Sequence, residues 1–237
     1  ADPYNCILDF STNPNSVEYN GDKIQYVVSP RDGYAYDQLS FTGSGTKVLA
    51  ADTLKVLGDL TIDTTLSTVG NTIWMAGTAA QNLAGSTGDT LDYLIIDNAA
   101  GVTLTNTGTT EISGRLSINT GTQFLMPASS KLSVSGTIDN NAGTTGLYLQ
   151  SDATGTASLI HNNDNVDASV ERYISGPAEA WHFLSSPVSN QEISGSWLPT
   201  GTYGNGTGYD LYVWHEASSC WIYKLNTTSP INWNTVH

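Results

Sequence analysis

The chain has 237 residues, with 8 Lys and Arg against 22 Asp and Glu, a formal charge of -14. Phosphate-bearing partners need clustered cations to displace counterions, so nucleic acid is not expected as a partner and anionic membrane surfaces are poor ones. At 13% charged and 39% hydrophobic residues, with 23 Gly, the chain is too apolar for simple disorder and too poor in charge for a helix-rich enzyme. The balance predicts an all-β protein of strands joined by tight turns.

Residues 1–20 carry neither a basic start nor an apolar run, and no stretch reaches the roughly 20 apolar residues that cross a bilayer. No membrane span is expected, and any secretion signal is expected to have been removed or to lie upstream. The closing run Asn232 to His237 ends without a turn or a closing motif, which reads as a piece of a longer protein. Cys6 and Cys220 lie near opposite ends and make no disulfide framework. They read as small buried side chains or as partners of absent sequence; a mutual bridge would need the last segment to fold back on the first.

After a cap or linker over residues 1–16, self-similarity is the strongest signal. Residues 17–62 return at 73–118, an offset of 56: Gly21 meets Gly77, Gln25 meets Gln81, and after a one-residue slip Gly58, Leu60 and Ile62 meet Gly114, Leu116 and Ile118. Inside each copy short runs alternate between aliphatic and Thr, Ser or Asn side chains, the period of a half-buried strand. The pattern continues through Phe124, Leu132, Ile138, Leu147 and Leu159. The connections, such as Asn98 to Gly101, are longer than two-residue hairpin turns. Between an antiparallel sandwich and a parallel β-helix, the spacing therefore favours the β-helix (β-solenoid) over residues 17–168. A coil of three strands and on the order of 20 residues puts two to three coils in each 56-residue repeat, and eight or so coils in all.

Near residue 165 the composition changes. One tryptophan, Trp74, precedes it, and Trp181, Trp197, Trp214, Trp221 and Trp233 follow. Residues 169–237 read as a small antiparallel β-sandwich-like module, incomplete at its end, with strands expected over Trp181 to Leu184, Tyr209 to Trp214 and Cys220 to Lys224.

The phrases Gly43 to Leu49, Leu57 to Ile62 and Asn98 to Leu104 resemble the repeats of large secreted Bacteroidota surface proteins. The junction Val170 to Ile174, followed by Trp181 to Val188, is similar to a signature that follows such repeats. This resemblance implies export by the type IX secretion machinery, a separate C-terminal sorting domain, and an adhesin-like role at the cell surface. It also implies O-glycosylation at Asp-Thr pairs, which fall here at Thr53, Thr64 and Thr90; as ordinary sequence, such pairs read equally as turn residues.

A polysaccharide-cleaving β-helix needs paired carboxylates, or acidic calcium ligands beside a basic residue, on one face. Only Arg31, Arg115 and Arg172 are arginines, and no acidic pair recurs at coil spacing with a basic partner. His161, His182, His215 and His237 are scattered; His182, between Trp181 and Phe183, reads as a hydrogen-bonded structural side chain. Asp152, Asp164 and Asp167, among Asn162, Asn163 and Asn165, could supply hard oxygens to Ca²⁺, although the spacing fits no EF-hand loop. Trp197, Tyr203, Tyr209, Tyr212, Trp221 and Trp233 are candidates for stacking on sugar rings, against the plainer reading of a small domain's core.

These features predict a noncatalytic extracellular structural or adhesive module of a large secreted bacterial surface protein, whose partners are cell-surface or extracellular glycans or proteins. Two other readings stay open: a carbohydrate-binding module of a secreted polysaccharide-degrading enzyme, and a β-helix lyase or hydrolase.

Overall fold

A computed structural model describes residues 14–28, 30, 35–50, 53–86, 90–176, 181–183, 185, 191–192, 212–223 and 235–236. The chain divides into two compact units, Ala1–Ser175 and Gly176–His237. Unit 1 is a parallel β-solenoid of about seven turns, whose strand segments lie on three faces.

The first face is an eight-stranded parallel sheet. Its strands are Ser16–Tyr19, Gln38–Phe41, Leu60–Ile62, Gln81–Ala84, Val102–Leu104, Phe124–Met126, Leu147–Leu149 and Ser169–Val170. The second face runs through Gln25–Val27, Lys47–Leu49 and Leu66–Ser67, then residues 90–91 and 109–112, and then Lys131–Val134 and Ser158–His161. The third runs through Thr53–Val56, Thr72–Met75, residues 93–96 and 115–118, and Thr137–Asn140. Successive rungs lie about 22 residues apart, as in Val17 opposite Leu39, Leu39 opposite Leu60 and Leu60 opposite Leu83.

Period-two alternation becomes an interior because each strand points every second side chain inward. Stacking then sets like on like. Val17, Leu39, Leu60, Leu83 and Leu104 form one inner column of the first face. Leu54, Ile73, Leu94, Leu116 and Ile138 form one on the third, beside Val56, Met75, Ile96 and Ile118. Most of these side chains are fully buried, and each contributes roughly 1.5–3 kcal/mol relative to exposure.

The corners are held by side chains that complete backbone hydrogen bonds. Gln25 Oε1 accepts from Gly21 N at 2.7 Å and Gln81 Oε1 from Gly77 N at 2.9 Å. Asn98 Nδ2 adds a 2.9 Å bond to Gln81 Oε1. Gly101, Gly121 and Gly143 occupy one corner on consecutive rungs, with φ of 90°, 78° and 66°, a region that side chains with a Cβ rarely adopt. Thr68, buried, accepts from Asp92 N at 2.8 Å and donates to Thr90 O at 3.4 Å, bridging Leu66–Ser67 to the rung of residues 90–91.

These corners explain the 56-residue offset. It spans about two and a half turns, so it carries residues 17–19 of the first face onto 73–75 of the third. What it matches is a shared corner device, a glycine amide bonded to the glutamine four residues on, built at two different corners.

In unit 2, Tyr212–His215 and Cys220–Tyr223 pair as an antiparallel hairpin, and Gln191–Glu192 pairs antiparallel with Thr235–Val236. Trp181, His182 and Phe183 run outside any strand, where a strand was expected. Their rings are engaged from the side: Trp181 packs on Tyr212 and Phe183 on Trp221, which needs no backbone ladder. Among the described residues no helix is long and apolar enough to cross a membrane.

Two outcomes test this packing. Ile96→Ala, at a fully buried position, loses about 2–5 kcal/mol in urea denaturation, whereas Ile160→Ala, 65% exposed, changes stability by less than about 0.5 kcal/mol. The second concerns Tyr36, fully buried, whose hydroxyl donates to Val28 O at 2.5 Å and meets Tyr19 Oη at 2.9 Å. Burial first, then the Tyr19 hydrogen bond, push its pKa well above the ordinary phenol value. A folded-state pKa raised above the unfolded one gives stability that is intact below about pH 10 and lost as pH rises beyond it. The urea midpoint therefore falls in strong alkali, and Tyr36→Phe flattens that fall.

Candidate functional site

Exposed aromatic rings gather on the hairpin of unit 2. The register puts Trp214 directly opposite Trp221, and their rings meet edge to face with centroids 5.5 Å apart, a geometry favoured by the ring quadrupoles. Trp181 joins at 5.3 Å from Tyr212, and Phe183 at 6.3 Å from Trp221. The connection is a 3-10 turn, Glu216–Ser218, followed by Ser219 in the left-handed region at φ 45°. Glu216 Oε2 accepts from Trp214 Nε1 at 2.6 Å, and His215 Nδ1 and Ser218 Oγ lie 2.9 Å apart.

All five rings remain open to solvent: Trp181 is 76% exposed, Phe183 88% and Trp221 53%, with Trp214 and Tyr212 less so. Together they form a contiguous exposed apolar patch on the described part of unit 2. Rings held against one another present their faces without losing rotamer freedom on binding, and the Glu216 carboxylate at their edge can accept from a hydroxyl.

Of the sugar-stacking residues expected from sequence, Trp221 and Tyr212 belong to this surface. Trp197, Tyr203, Tyr209 and Trp233 lie outside the described residues. Sequence reasoning missed Trp181, Phe183 and Trp214 as members; the signal available was the two-residue spacing of Tyr212 and Trp214 on one strand. His182, expected as a structural hydrogen-bonding side chain, is exposed. Cys220 is exposed with a free thiol, so burial does not describe it, and Cys6 lies outside the described residues.

The solenoid places the remaining candidates separately. Asp152 closes its own turn, accepting from Thr154 N at 2.7 Å and Thr154 Oγ1 at 2.6 Å, and those bonds hold its carboxyl below the usual range. Asp164 and Asp167 do not join it. Among the described residues no group of three or more His, Cys, Asp or Glu side chains gathers to hold a metal ion. Thr53 and Thr90 are exposed, and Thr90 Oγ1 donates to Glu111 Oε2 at 3.5 Å. Thr64 is 7% exposed and donates to Gly45 O at 3.4 Å, so its hydroxyl is turned inward. Arg115 pairs with Asp139 at 3.3 Å on the surface.

Glu171, in the junction motif, secures the last turn of the solenoid. It accepts from Tyr148 Oη and from Ser151 N at 3.1 Å, and the neighbouring carboxylate raises the Tyr148 pKa. A shallow hollow of about 310 Å³ at the corner of Ala99, Gly101, Gly121, Thr122, Gln123 and Thr145 is lined by small and neutral side chains.

The chain matches no protein-family model. No curated protein matches it, and no solved structure does.

The edge-to-face tryptophan pair predicts an exciton couplet in the ultraviolet circular dichroism of the full chain. Trp214→Ala and Trp221→Ala each abolish it, while Trp74→Phe, in unit 1, leaves it in place.

Proposed function

We propose that this chain is a noncatalytic structural and adhesive module of a larger secreted bacterial surface protein, with the aromatic hairpin as its contact surface for extracellular glycans. The observation that carries the reading is the cluster of five exposed rings, three on the hairpin (Tyr212, Trp214 and Trp221) with Trp181 and Phe183 packed against them, preorganised by ring contacts and by the bond from Trp214 to Glu216. An aromatic face accepts the apolar C–H face of a pyranose and sheds water from both.

The solenoid suits a spacer. Its turns repeat one packing solution, so length is added without new core design. Its first face turns polar side chains outward, including Ser16, Gln38, Asp59, Asn82 and Thr103. Export by the type IX route and residence at the cell surface follow from the resemblance of the repeats and of the Val170 to Ile174 junction. The same rings also support a carbohydrate-binding module attached to a polysaccharide-degrading enzyme, since such a module needs the same contact.

The test is retention of the full chain on insoluble polysaccharides and fixed bacterial or host cell surfaces. Trp221→Ala and Trp181→Ala each weaken retention about tenfold, and acidic polysaccharides incubated with the chain release neither unsaturated nor reducing ends. Wild-type retention by both variants would remove the hairpin as the contact surface, and released ends would replace an adhesive module with an enzyme.

A further inference from the structure

We infer that the third face of the solenoid carries a second glycan site, built around Tyr93 and Trp74, for a neutral polysaccharide. Its residues all belong to unit 1, so it stands independently of the hairpin.

The outward positions of this face form two columns. One holds Thr53, Thr72, Tyr93, Arg115 and Thr137, and the other holds Lys55, Trp74, Ile95, Ser117 and Asp139. Threonine is the repeating outward residue of the first column, so Tyr93 interrupts it with a ring. Trp74, opposite Ile95, stands one rung below Tyr93 and across from it, a diagonal within reach of one sugar.

Both rings are held in place. The strand opposite residues 90–96 carries a bulge, because Leu91 pairs with Ile112 and Tyr93 with Arg115, leaving Ser113 and Gly114 opposite Asp92. Bulges re-aim side chains, and the Tyr93 ring lies against Gly114: a Cβ there would stand 2.7 Å from Tyr93 Cε1. Tyr93 remains 38% exposed. Trp74 is fixed from two sides, with Lys55 Nζ 4.5 Å from its ring centroid and its Nε1 donating to Asp97 Oδ2 at 3.1 Å. Asp97 Oδ1 in turn accepts from Asn119 Nδ2 at 2.8 Å. Tyr93 is thus a platform beside an indole wall, bordered by polar groups of both kinds.

Charge selects the occupant. Lys55 and Arg115 are balanced by Asp97 and Asp139, and Arg115 is already paired with Asp139. A polyanion would find no net positive charge here and would face a chain of charge -14. A neutral polysaccharide offers C–H faces to Tyr93 and hydroxyls that both donate to the carboxylates and accept from the cations. The rung spacing of about 4.8 Å is comparable with one pyranose ring, so successive sugars can lie across successive rungs.

The experiment uses the full chain carrying Trp181→Ala and Trp221→Ala, which silences the hairpin. Retention is measured on insoluble cellulose, xylan and mannan, and mobility in gels containing polygalacturonate. The silenced chain is still retained by at least one neutral polysaccharide, with little dependence on salt. Adding Tyr93→Thr, which matches the neighbours of its column and so preserves the strand, weakens that retention about tenfold, while adding Tyr93→Phe leaves it unchanged. Failure of the silenced chain to bind any neutral polysaccharide, preference for polygalacturonate, or indifference to Tyr93→Thr would each overturn the site. None of those results bears on hairpin binding, which is read by comparing the wild-type chain with the silenced one.

Discussion

The structure depends on one constraint: a backbone turn of about 22 residues must return to the same place one rung higher, with its amides and carbonyls aimed at the turns above and below. Strands two to seven residues long satisfy it for most of the solenoid, because parallel pairing needs no hairpin and each corner needs only a few residues. The columns of Leu, Ile and Val follow from it. Once the rungs are in register, an inward position on one turn lies over an inward position on the next, and any side chain that departs in size leaves a void for its neighbours to feel. Lys47 shows how firmly the constraint acts. It occupies an inward position and is fully buried, yet its Nζ reaches Gly45 O at 2.6 Å and Gly21 O at 2.9 Å, so a cation is accommodated by bending to the corner carbonyls instead of by moving the rung.

The outward positions are released from that constraint. Any residue compatible with an extended backbone serves there, which is why Thr, Ser, Asn and Asp dominate and why ladders of side-chain hydrogen bonds, such as Asp59 with Asn82 and Asp97 with Asn119, run between turns. Against that background an outward ring is informative. Trp74 and Tyr93 stand at such positions, and Gly114, Asp97 and Lys55 hold their rings. In the described part of unit 2 the rings likewise contact one another while remaining exposed.

How much of this was legible in the sequence follows from the same division between inside and outside. Alternation at period two is a local signal, and it survives in strands as short as Lys47–Leu49, so the β-solenoid and its three-strand coil could be read directly. The true period of about 22 residues was obscured, because corner lengths vary and the outward residues carry no memory of the rung. The strongest self-match instead joined Gly21 and Gln25 to Gly77 and Gln81, two copies of one hydrogen-bonding device at different corners. Burial of Thr64 was equally hidden: its Asp-Thr pair looks like those at Thr53 and Thr90, and only the fold decides that its hydroxyl turns inward toward Gly45 O while the other two residues are exposed. The aromatic surface was half visible, since composition marked the tryptophan-rich end, but which rings meet depends on the pairing of Trp214 with Trp221 and on a strandless segment bringing Trp181 and Phe183 alongside.

The two ring surfaces also differ in how their order is secured, and this bears on how each would act. On the solenoid, Tyr93 and Trp74 take their backbone positions from buried neighbours, Leu94 and Ile73, whose columns run the length of the third face. On the hairpin, order comes from ring against ring and from one carboxylate at the turn, with the strands paired to each other alone among the described residues. A two-stranded ribbon is marginal in water without a further face to cover, so its rings need their mutual contacts to stay in place. A glycan binding at the proposed solenoid site would meet a surface already set, whereas one binding at the hairpin would also stabilise the structure that presents it.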